Sequence, residues 1–408
     1  MVYVGIDWSD QHHDLCILNE AGDKLNTFSI SHTRDGFEQA HMHIAKHASP
    51  EQVRVSIETK DSLLVDFLSE LGYTLCFLNP KQTDRFRDRH RMSDSKSDSF
   101  DAYVLADAVR TDAHLFNALS PLDEESLRLR VLTRTRENIV TRKVSVQNEI
   151  TTYLKRYFPV ALELFDGIDN LEAISFLLQY PTYQQAKSVS ESRIASIIGK
   201  HGGISTAIAQ RHAKNARDKL SQAQPTPSIA VSASYPLAVK SLFRQLRSIL
   251  EEMDALDNEI SENYNNHPNK DLVGSLPGVA ETLGPVIAAE LGTDITRFQD
   301  IKTLKAFSGS SPVTVQSGKF RSVHIRRACN YHLRRALHLA SQTAIRTQGW
   351  ARELYDRLRS EGKSYGRALR AIADQLLEML YVILIRRTPY SEAYHLQMKA
   401  LHGSNINK

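Results

Sequence analysis

The spacing of apolar residues predicts strands first and helices afterwards. Residues 2–6 form a short apolar run, and residues 13–18 and 25–30 follow as two more, with Ala21-Gly22-Asp23 as the second turn. Three runs joined by such short links read as an antiparallel meander. The period then changes. Phe37, Ala40 and Ile44 recur at helical spacing within residues 36–46, and residues 53–57 return to a strand. Residues 63–71 form a helix stopped by Gly72, and residues 74–78 a strand ended by Asn79-Pro80. The predicted order is β-β-β-α-β-α-β.

Residues 97–110 are helical again, with Phe100, Val104, Leu105 and Ala108 on one stripe. A long polar helix is predicted over 123–158, its apolar positions being Leu127, Val131, Ile139, Val146, Ile150 and Leu154. A second covers 237–264, with Leu246, Leu250, Met253, Leu256 and Ile260. This heptad-like spacing predicts an antiparallel coiled coil or a dimer seam. Residues 166–236 read as an inserted helical subdomain ending in a Pro/Ser-rich linker at 222–234. Further on, Leu276-Pro277-Gly278-Val279 leads into a helix over 281–291, the pattern of a helix-hairpin-helix motif or of an ordinary helical hairpin. Helices over 329–346 and 365–386 complete a compact helical region.

The expected organisation is an α/β catalytic domain over 1–122, coiled-coil helices over 123–165 and 237–268, the insertion 166–236, and a helical C-terminal domain over 269–408. The element order of the first part is that of the ribonuclease H fold, so the fold class expected is α/β plus all-α. A length of 408 residues, more than one core usually organises, agrees with several domains. No apolar run is long enough for a bilayer, and the first residues lack the pattern of a signal peptide, so no membrane is expected and the cytoplasm is the simplest compartment. The 3 cysteines are far apart and make neither a disulfide framework nor a zinc pattern. A net charge of +4 decides little, but basic residues cluster at 81–96, 128–143, 319–335 and 346–370. Such clusters suit phosphate contacts, or are solvated helix faces.

The chemistry is concentrated in carboxylates. Asp7 follows Val4-Gly5-Ile6 and Glu58 follows Val55-Ser56-Ile57, so each ends a strand. In the expected topology those strands are parallel neighbours. Asp98 and Asp101, three positions apart on a helix, share one face. Taken singly, each acid reads as a turn cap or a first-turn helix acid. Four together do not all stay ionised without cations, and hard divalent ions with oxygen ligands (two Mg²⁺, or Mn²⁺) are the natural solution. Two such ions suit phosphodiester cleavage.

The motifs Gly5-Ile6-Asp7, Ile57-Glu58, Leu78-Asn79-Pro80 and Lys96-Ser97-Asp98-Ser99-Phe100-Asp101-Ala102 resemble those of the DEDD transposases of the insertion-sequence-110 family. So do Leu276-Pro277-Gly278-Val279, Gln316-Ser317-Gly318 and Leu333-Arg334-Arg335-Ala336-Leu337. The resemblance covers roughly residues 1–158 and 237–390, and Piv-type DNA invertases share the pattern. It implies a RuvC-like N-terminal domain with Asp7, Glu58, Asp98 and Asp101 as Mg²⁺ ligands. It also implies a C-terminal serine that attacks the phosphodiester and holds the DNA covalently. Donor and target DNA would be the substrates, and in several members a structured guide RNA from the element's own ends pairs with both. The active assembly would be a homo-oligomer, a dimer or tetramer, in which the acids of one subunit meet the serine of another.

From the residues alone Ser317 reads as an ordinary turn serine; with the resemblance it becomes the nucleophile, and Ser308, Ser310, Ser311 and Ser322 rank below it. His324 is the only local candidate base. Lys319, Arg321, Arg326 and Arg327 follow directly, and with Arg334 and Lys96 they are candidate nucleic-acid contacts. Arg334 and Arg335 are adjacent and point to different sides of a helix, so one of them is free to be structural. The chain departs from the family at Asp10, where a Lys is usual, and at Thr59-Lys60-Asp61, where Ala-Thr-Gly is usual. Its segment 165–235 is longer than in compact members. The competing readings are a Piv-type invertase, a RuvC-like Mg²⁺-dependent nuclease or Holliday junction resolvase using water, and a non-catalytic nucleic-acid scaffold.

Overall fold

Strand β1 (Val2–Trp8) lies at the centre of the first of two units, Met1–Pro121 and Leu122–Lys408, in the computed structural model of the chain. The residues described are 1–59, 62–90, 98–113, 116, 122–201, 204–222, 227–279, 281–318, 320–393, 395 and 397, with residue 98 described in its backbone alone. On one side β1 pairs antiparallel with β2 (His12–Leu18), which pairs antiparallel with β3 (Lys24–Ser31). On the other side it pairs parallel with β4 (Val53–Ile57), and β4 pairs parallel with β5 (Thr74–Phe77). The sheet order is β3-β2-β1-β4-β5. Helix α1 (Arg34–Ala45) makes the crossover from β3 to β4, and α2 (Leu63–Glu70) that from β4 to β5.

Both faces of the sheet are covered, which is why β1 and β4 read as continuous apolar runs. On one face Val4, Ile6, Leu15 and Val55 meet Phe37, Ala40 and Ile44 of α1 and Leu64 and Leu68 of α2. On the other, Cys16, Leu18 and Cys76 meet α4 (Asp98–Thr111) through Ala102, Leu105 and Ala106. A helix absent from the expected order, α3 (Pro80–His90), stands between β5 and α4. Its start is a reciprocal cap: the Gln82 amide donates to the Asn79 side chain and the Asn79 amide to the Gln82 side chain, each at 3.1 Å. Pro80, expected only to end the strand, occupies the first helical position, where a missing N–H costs nothing.

The second unit is helical apart from one hairpin. Helices α5 (Glu124–Tyr157) and α10 (Ile229–Asn266) pack antiparallel, with Arg128 paired to Glu259 near one end and Tyr153 edge-to-face with Tyr235 near the other. Between them in sequence lie α6 (Leu171–Gln179), α7 (Tyr183–Lys187), α8 (Glu191–His201) and α9 (Thr206–Ser221), which share with α5 and α10 a core holding Phe158, Phe176 and Phe243. The expected linker at 222–234 is helical from Ile229. Ser228 caps α10 by accepting from the Val231 amide, and Pro236 is carried inside the helix. The apolar stripe assigned to α5 also needs correction at its start. Leu127 and Val131 are 44% and 58% exposed, while Ser126, Leu129 and Thr133 are buried.

The reason lies in what α5 packs against there. Its first turns also rest on α12 (Gly284–Leu291), so Leu129 enters the core of the C-terminal helices, out of register with a pure α5–α10 seam. That core is built from α11 (Lys270–Gly274), α12, α13 (Ile301–Ser308), α14 (Tyr331–Thr347), α15 (Gly349–Ser360) and α16 (Tyr365–Arg386), and it holds Leu337, Trp350, Ala373 and Leu376. Between α13 and α14 the chain forms a hairpin of β6 (Val313–Ser317) and β7 (Phe320–His324). Among the described residues no helix is long and apolar enough to cross a membrane.

Candidate active site

The parallel register of β1 and β4 decides where two of the acids stand. Ile6 pairs with Ile57, so Asp7, still within β1 and not at its end as expected, stands beside Glu58, the residue that follows β4. Strands in a sheet run about 4.8 Å apart. Both acids are half-buried. Helix α4 reaches this edge because Gly5 lets it come close. A Cβ on Gly5 would sit 1.9 Å from the Ala102 carbonyl oxygen and 2.4 Å from the Ala106 amide nitrogen. The buried Ser56 hydroxyl donates to the Leu105 carbonyl at 2.6 Å and ties the helix to β4. Asp101 precedes Ala102 on this helix, and its side chain meets α3.

Asp101 has an electrostatic partner that the sequence did not announce. Arg87 of α3 donates its Nε to Asp101 at 2.8 Å and its Nη1 to Asp84 at 2.7 Å. The Asp101 side chain is 13% exposed. The bond to Asp101 holds the guanidinium above its ordinary pKa despite partial burial. The oxygen donors of Asp7, Glu58 and Asp101 suit a hard divalent ion. Among the described residues, however, no three His, Cys, Asp or Glu side chains are grouped closely enough to hold one. The Asp98 side chain, Lys96, Lys60 and Asp61 lie outside the described residues. Asp10 is exposed.

A second unannounced residue is His13, which faces Trp8 across β1 and β2 and is fully buried. Its Nε2 lies 2.8 Å from His32 Nδ1, and its Nδ1 accepts from the Ser9 amide at 3.3 Å. Burial, with the charges of His32 and His12, pushes its pKa down to about 4. The ring is therefore a neutral brace for the turn that follows Asp7.

Ser317 is the last residue of β6 and is exposed. Gly318, at φ +56°, opens the two-residue link to β7, and Ser317 pairs with Phe320. Such short hairpin links favour glycine where φ is positive. Lys319 lies outside the described residues. His324 does not serve as the expected local base. It pairs with Val313 at the far end of the hairpin, about 13 Å along the strand from Ser317, and its Nε2 is 2.8 Å from Ser322 Oγ. Of the other serines, Ser308 is buried, and Ser310 donates to Asp374 at 2.8 Å.

The basic residues divide by role. Arg321 and Arg327 are exposed. Arg326 donates to the Ser311 carbonyl at 3.3 Å and accepts from Arg334 on its own carbonyl at 3.1 Å, so both arginines stand at the foot of the hairpin. Arg335 turns the other way and pairs with Glu137 of α5, so it is the structural member of the adjacent pair. The foot of α14 is fastened from below by Glu290, which is fully buried on α12. Glu290 accepts from Arg134 at 2.8 and 3.0 Å and from Asn330 at 2.6 Å, and Arg130 lies 3.3 Å away. Burial alone would raise its pKa; the bonds from Arg134 and Asn330 and the arginine charges outweigh it and hold the carboxyl below its usual range. Asn330 in turn caps α14 by accepting from the Leu333 amide at 2.9 Å.

The turn at Leu276-Pro277-Gly278-Val279 joins the five-residue α11 to α12, which begins at Gly284 and not at 281. Gly278 has φ +80°, and a Cβ there would meet the Ala340 carbonyl of α14 at 2.2 Å.

Known proteins resemble the chain over these same regions. The family model of the DEDD transposases of IS110, described as a transposase, matches residues 4–159. The model of the transposase IS116/IS110/IS902 family matches residues 270–356. A mini-circle putative transposase for IS117 from Streptomyces coelicolor is 29% identical over 96% of this chain and 95% of its own length. A 43.6 kDa protein of insertion element IS110 from the same organism is 27% identical over 73% of this chain and 72% of its own. A 42 kDa protein of insertion element IS900 from Mycobacterium paratuberculosis is 23% identical over 96% of this chain and 98% of its own.

Proposed function

Because the chain belongs to the IS116/IS110/IS902 family of transposases, we propose that it moves an insertion element by cutting and rejoining DNA through Ser317. The observation that carries this reading is the exposed serine at a glycine hairpin tip, in a chain that also brings Asp7 and Glu58 to one register position. In the proposed reaction the Ser317 hydroxyl loses its proton, its oxygen bonds to a DNA phosphorus, and the displaced sugar oxygen leaves as a hydroxyl. The result is a serine–DNA ester, with no free double-strand break. Reversal on the partner strand rejoins the ends.

Asp7, Glu58, Asp98 and Asp101 would hold the Mg²⁺ ions, or Mn²⁺, with Arg87 giving up Asp101 to them. Bound there, the ions would supply the charge that makes a hydroxyl nucleophilic and steadies the leaving oxygen. The strand order and the parallel β1–β4 pair support a RuvC-like, ribonuclease-H-like character for the first unit. The turn at Gly278 is read as helix-hairpin-helix-like, and Lys96, Lys319, Arg321, Arg326, Arg327 and Arg334 as phosphate contacts on donor and target DNA. A structured guide RNA and a dimer or tetramer complete the proposed assembly.

The test is a covalent adduct with end-labelled DNA, resolved on a denaturing gel. Wild-type protein with Mg²⁺ should give the adduct, and Ser317→Ala should lose it while still binding DNA. An adduct that persists in Ser317→Ala rejects the serine. Free 5′-phosphate ends from that variant would favour a water-using nuclease. Sequencing the nucleic acid that co-purifies with the protein tests the guide: a defined RNA supports it, and DNA alone favours an invertase.

A further inference from the structure

The C-terminal helices carry three arginines and a histidine that, among the described residues, are paired with no acid. Arg334 and His338 are one turn apart on α14, and Arg367 and Arg370 lie within the first two turns of α16, which packs on α14. Gln342, one turn further along the same α14 stripe, donates to the Tyr365 hydroxyl at 2.9 Å, so the start of α16 stands beside that stripe. Among the described residues none of Arg334, His338, Arg367 and Arg370 has an ion pair. Asp374, one turn beyond Arg370, is taken by Lys305 at 2.6 Å and Ser310 at 2.8 Å. Burial with the charges of Arg370 and Arg334 holds His338 below its ordinary pKa, and burial with those of Arg367 and Arg334 does the same to Arg370. The arginine charges thus disfavour the charged forms of His338 and Arg370, an effect that a bound anion would relieve. Two exposed rings flank the group: Tyr331, with the Arg334 guanidinium 5.4 Å from its centroid, and Tyr365.

We propose that Arg334, His338, Arg367 and Arg370 form a phosphate clamp for the DNA strand that Ser317 attacks. The clamp joins the serine hairpin through the bond from Arg334 to the Arg326 carbonyl. From Phe320 to Arg326 the chain spans about 20 Å when extended. That is about six base steps along one DNA strand, so the clamp grips the backbone away from the reacting phosphate. The proposal rests on reading the chain as a DNA recombinase acting through Ser317.

Binding of an about 30-base-pair random-sequence duplex by the full chain, followed by fluorescence anisotropy between about 50 and 200 mM salt, tests the clamp apart from the chemistry. The double variant Arg367→Gln/Arg370→Gln should weaken binding about tenfold, equally across sequences, and lower the slope of log K against log salt by about 0.9 for each phosphate lost. Arg367→Gln alone alters an exposed side chain and should give a smaller loss in the same direction with an unchanged melting temperature. An unchanged slope in both variants overturns the clamp, as does a loss seen with a structured RNA but not with the duplex. A lost slope in a protein that forms no Ser317 adduct supports the DNA clamp and overturns the recombinase reading alone.

Discussion

Gly5 is required by backbone atoms, not by a flexible side chain. The Ala102 carbonyl and the Ala106 amide that a Gly5 Cβ would strike belong to α4, so a larger residue has to displace the helix. Overpacking of this kind costs about 1–3 kcal/mol, occasionally more. We expect Gly5→Ala to destabilise the first unit by that amount and to shift α4, with Asp101 on it, away from β1, cutting adduct yield further than stability. Urea unfolding and the adduct assay measure the two effects, and a variant as stable and active as wild type rejects the close-approach role. In sequence Gly5 was one letter of a motif, and nothing local shows that it carries a helix from far along the chain. Asp123 is legible in part: its position before α5 marks a cap, and it accepts from the Ser126 amide at 2.8 Å. Its second partner, the Thr293 amide at 2.8 Å, is not. Burial alone would raise Asp123, but these bonds bring it from 3.8 down to about 2. A carboxyl depressed in the folded state stabilises above its unfolded pKa, and that stability is lost as pH falls from about 4 towards about 2. Wild type should lose stability over that window faster than Asp123→Asn in urea titrations; parallel curves would argue against the cap.

Helices and strands were legible where burial imposes a period, and illegible where it does not. Strand β4 and helix α16 fall at their expected bounds because one continuous core claims each. Helix α3 was missed although its signal was present: Asn79, Pro80 and Gln82 make a capping box with proline at the first position, but the body of the helix is polar and has almost no apolar stripe. That omission also hid Arg87, the residue that meets Asp101. The start of α5 was misread for a related reason. A helix that serves two partners in turn, α12 and then α10, does not keep one heptad phase. Glu290 belongs to this scale because it fastens three elements at once, α5 through Arg130 and Arg134, α12 itself, and the α14 cap through Asn330. Removing the acid leaves two half-buried guanidinium groups and the Asn330 side chain without their shared acceptor, which costs up to about 3 kcal/mol because water reaches the arginines in part. Glu290→Ala should therefore lower the calorimetric transition of the second unit and leave that of the first in place. A joint shift of both transitions would show that Glu290 does not act within its unit.

At the scale of the whole molecule the proposed chemistry is divided. Asp7, Glu58 and Asp101 belong to the unit of residues 1–121, and Ser317 to the unit of residues 122–408. Either the two meet within one chain or each chain lends one half to another. If the proposed oligomer is composite, two inactive proteins should repair each other. Ser317→Ala retains its acids and Asp101→Asn retains its serine, so a mixed pair holds one site built from the sound halves and one built from both damaged halves. Roughly half of the sites in such a pair should regain adduct formation, since a symmetric interface exchanges the same parts in both directions. The adduct should then sit only on the Asp101→Asn chain, which a size tag on either partner reveals on the denaturing gel. If the acids serve the serine of their own chain, no mixing ratio restores any adduct. The two arrangements thus differ by presence against absence of product, and the identity of the labelled chain tells which half each subunit contributed.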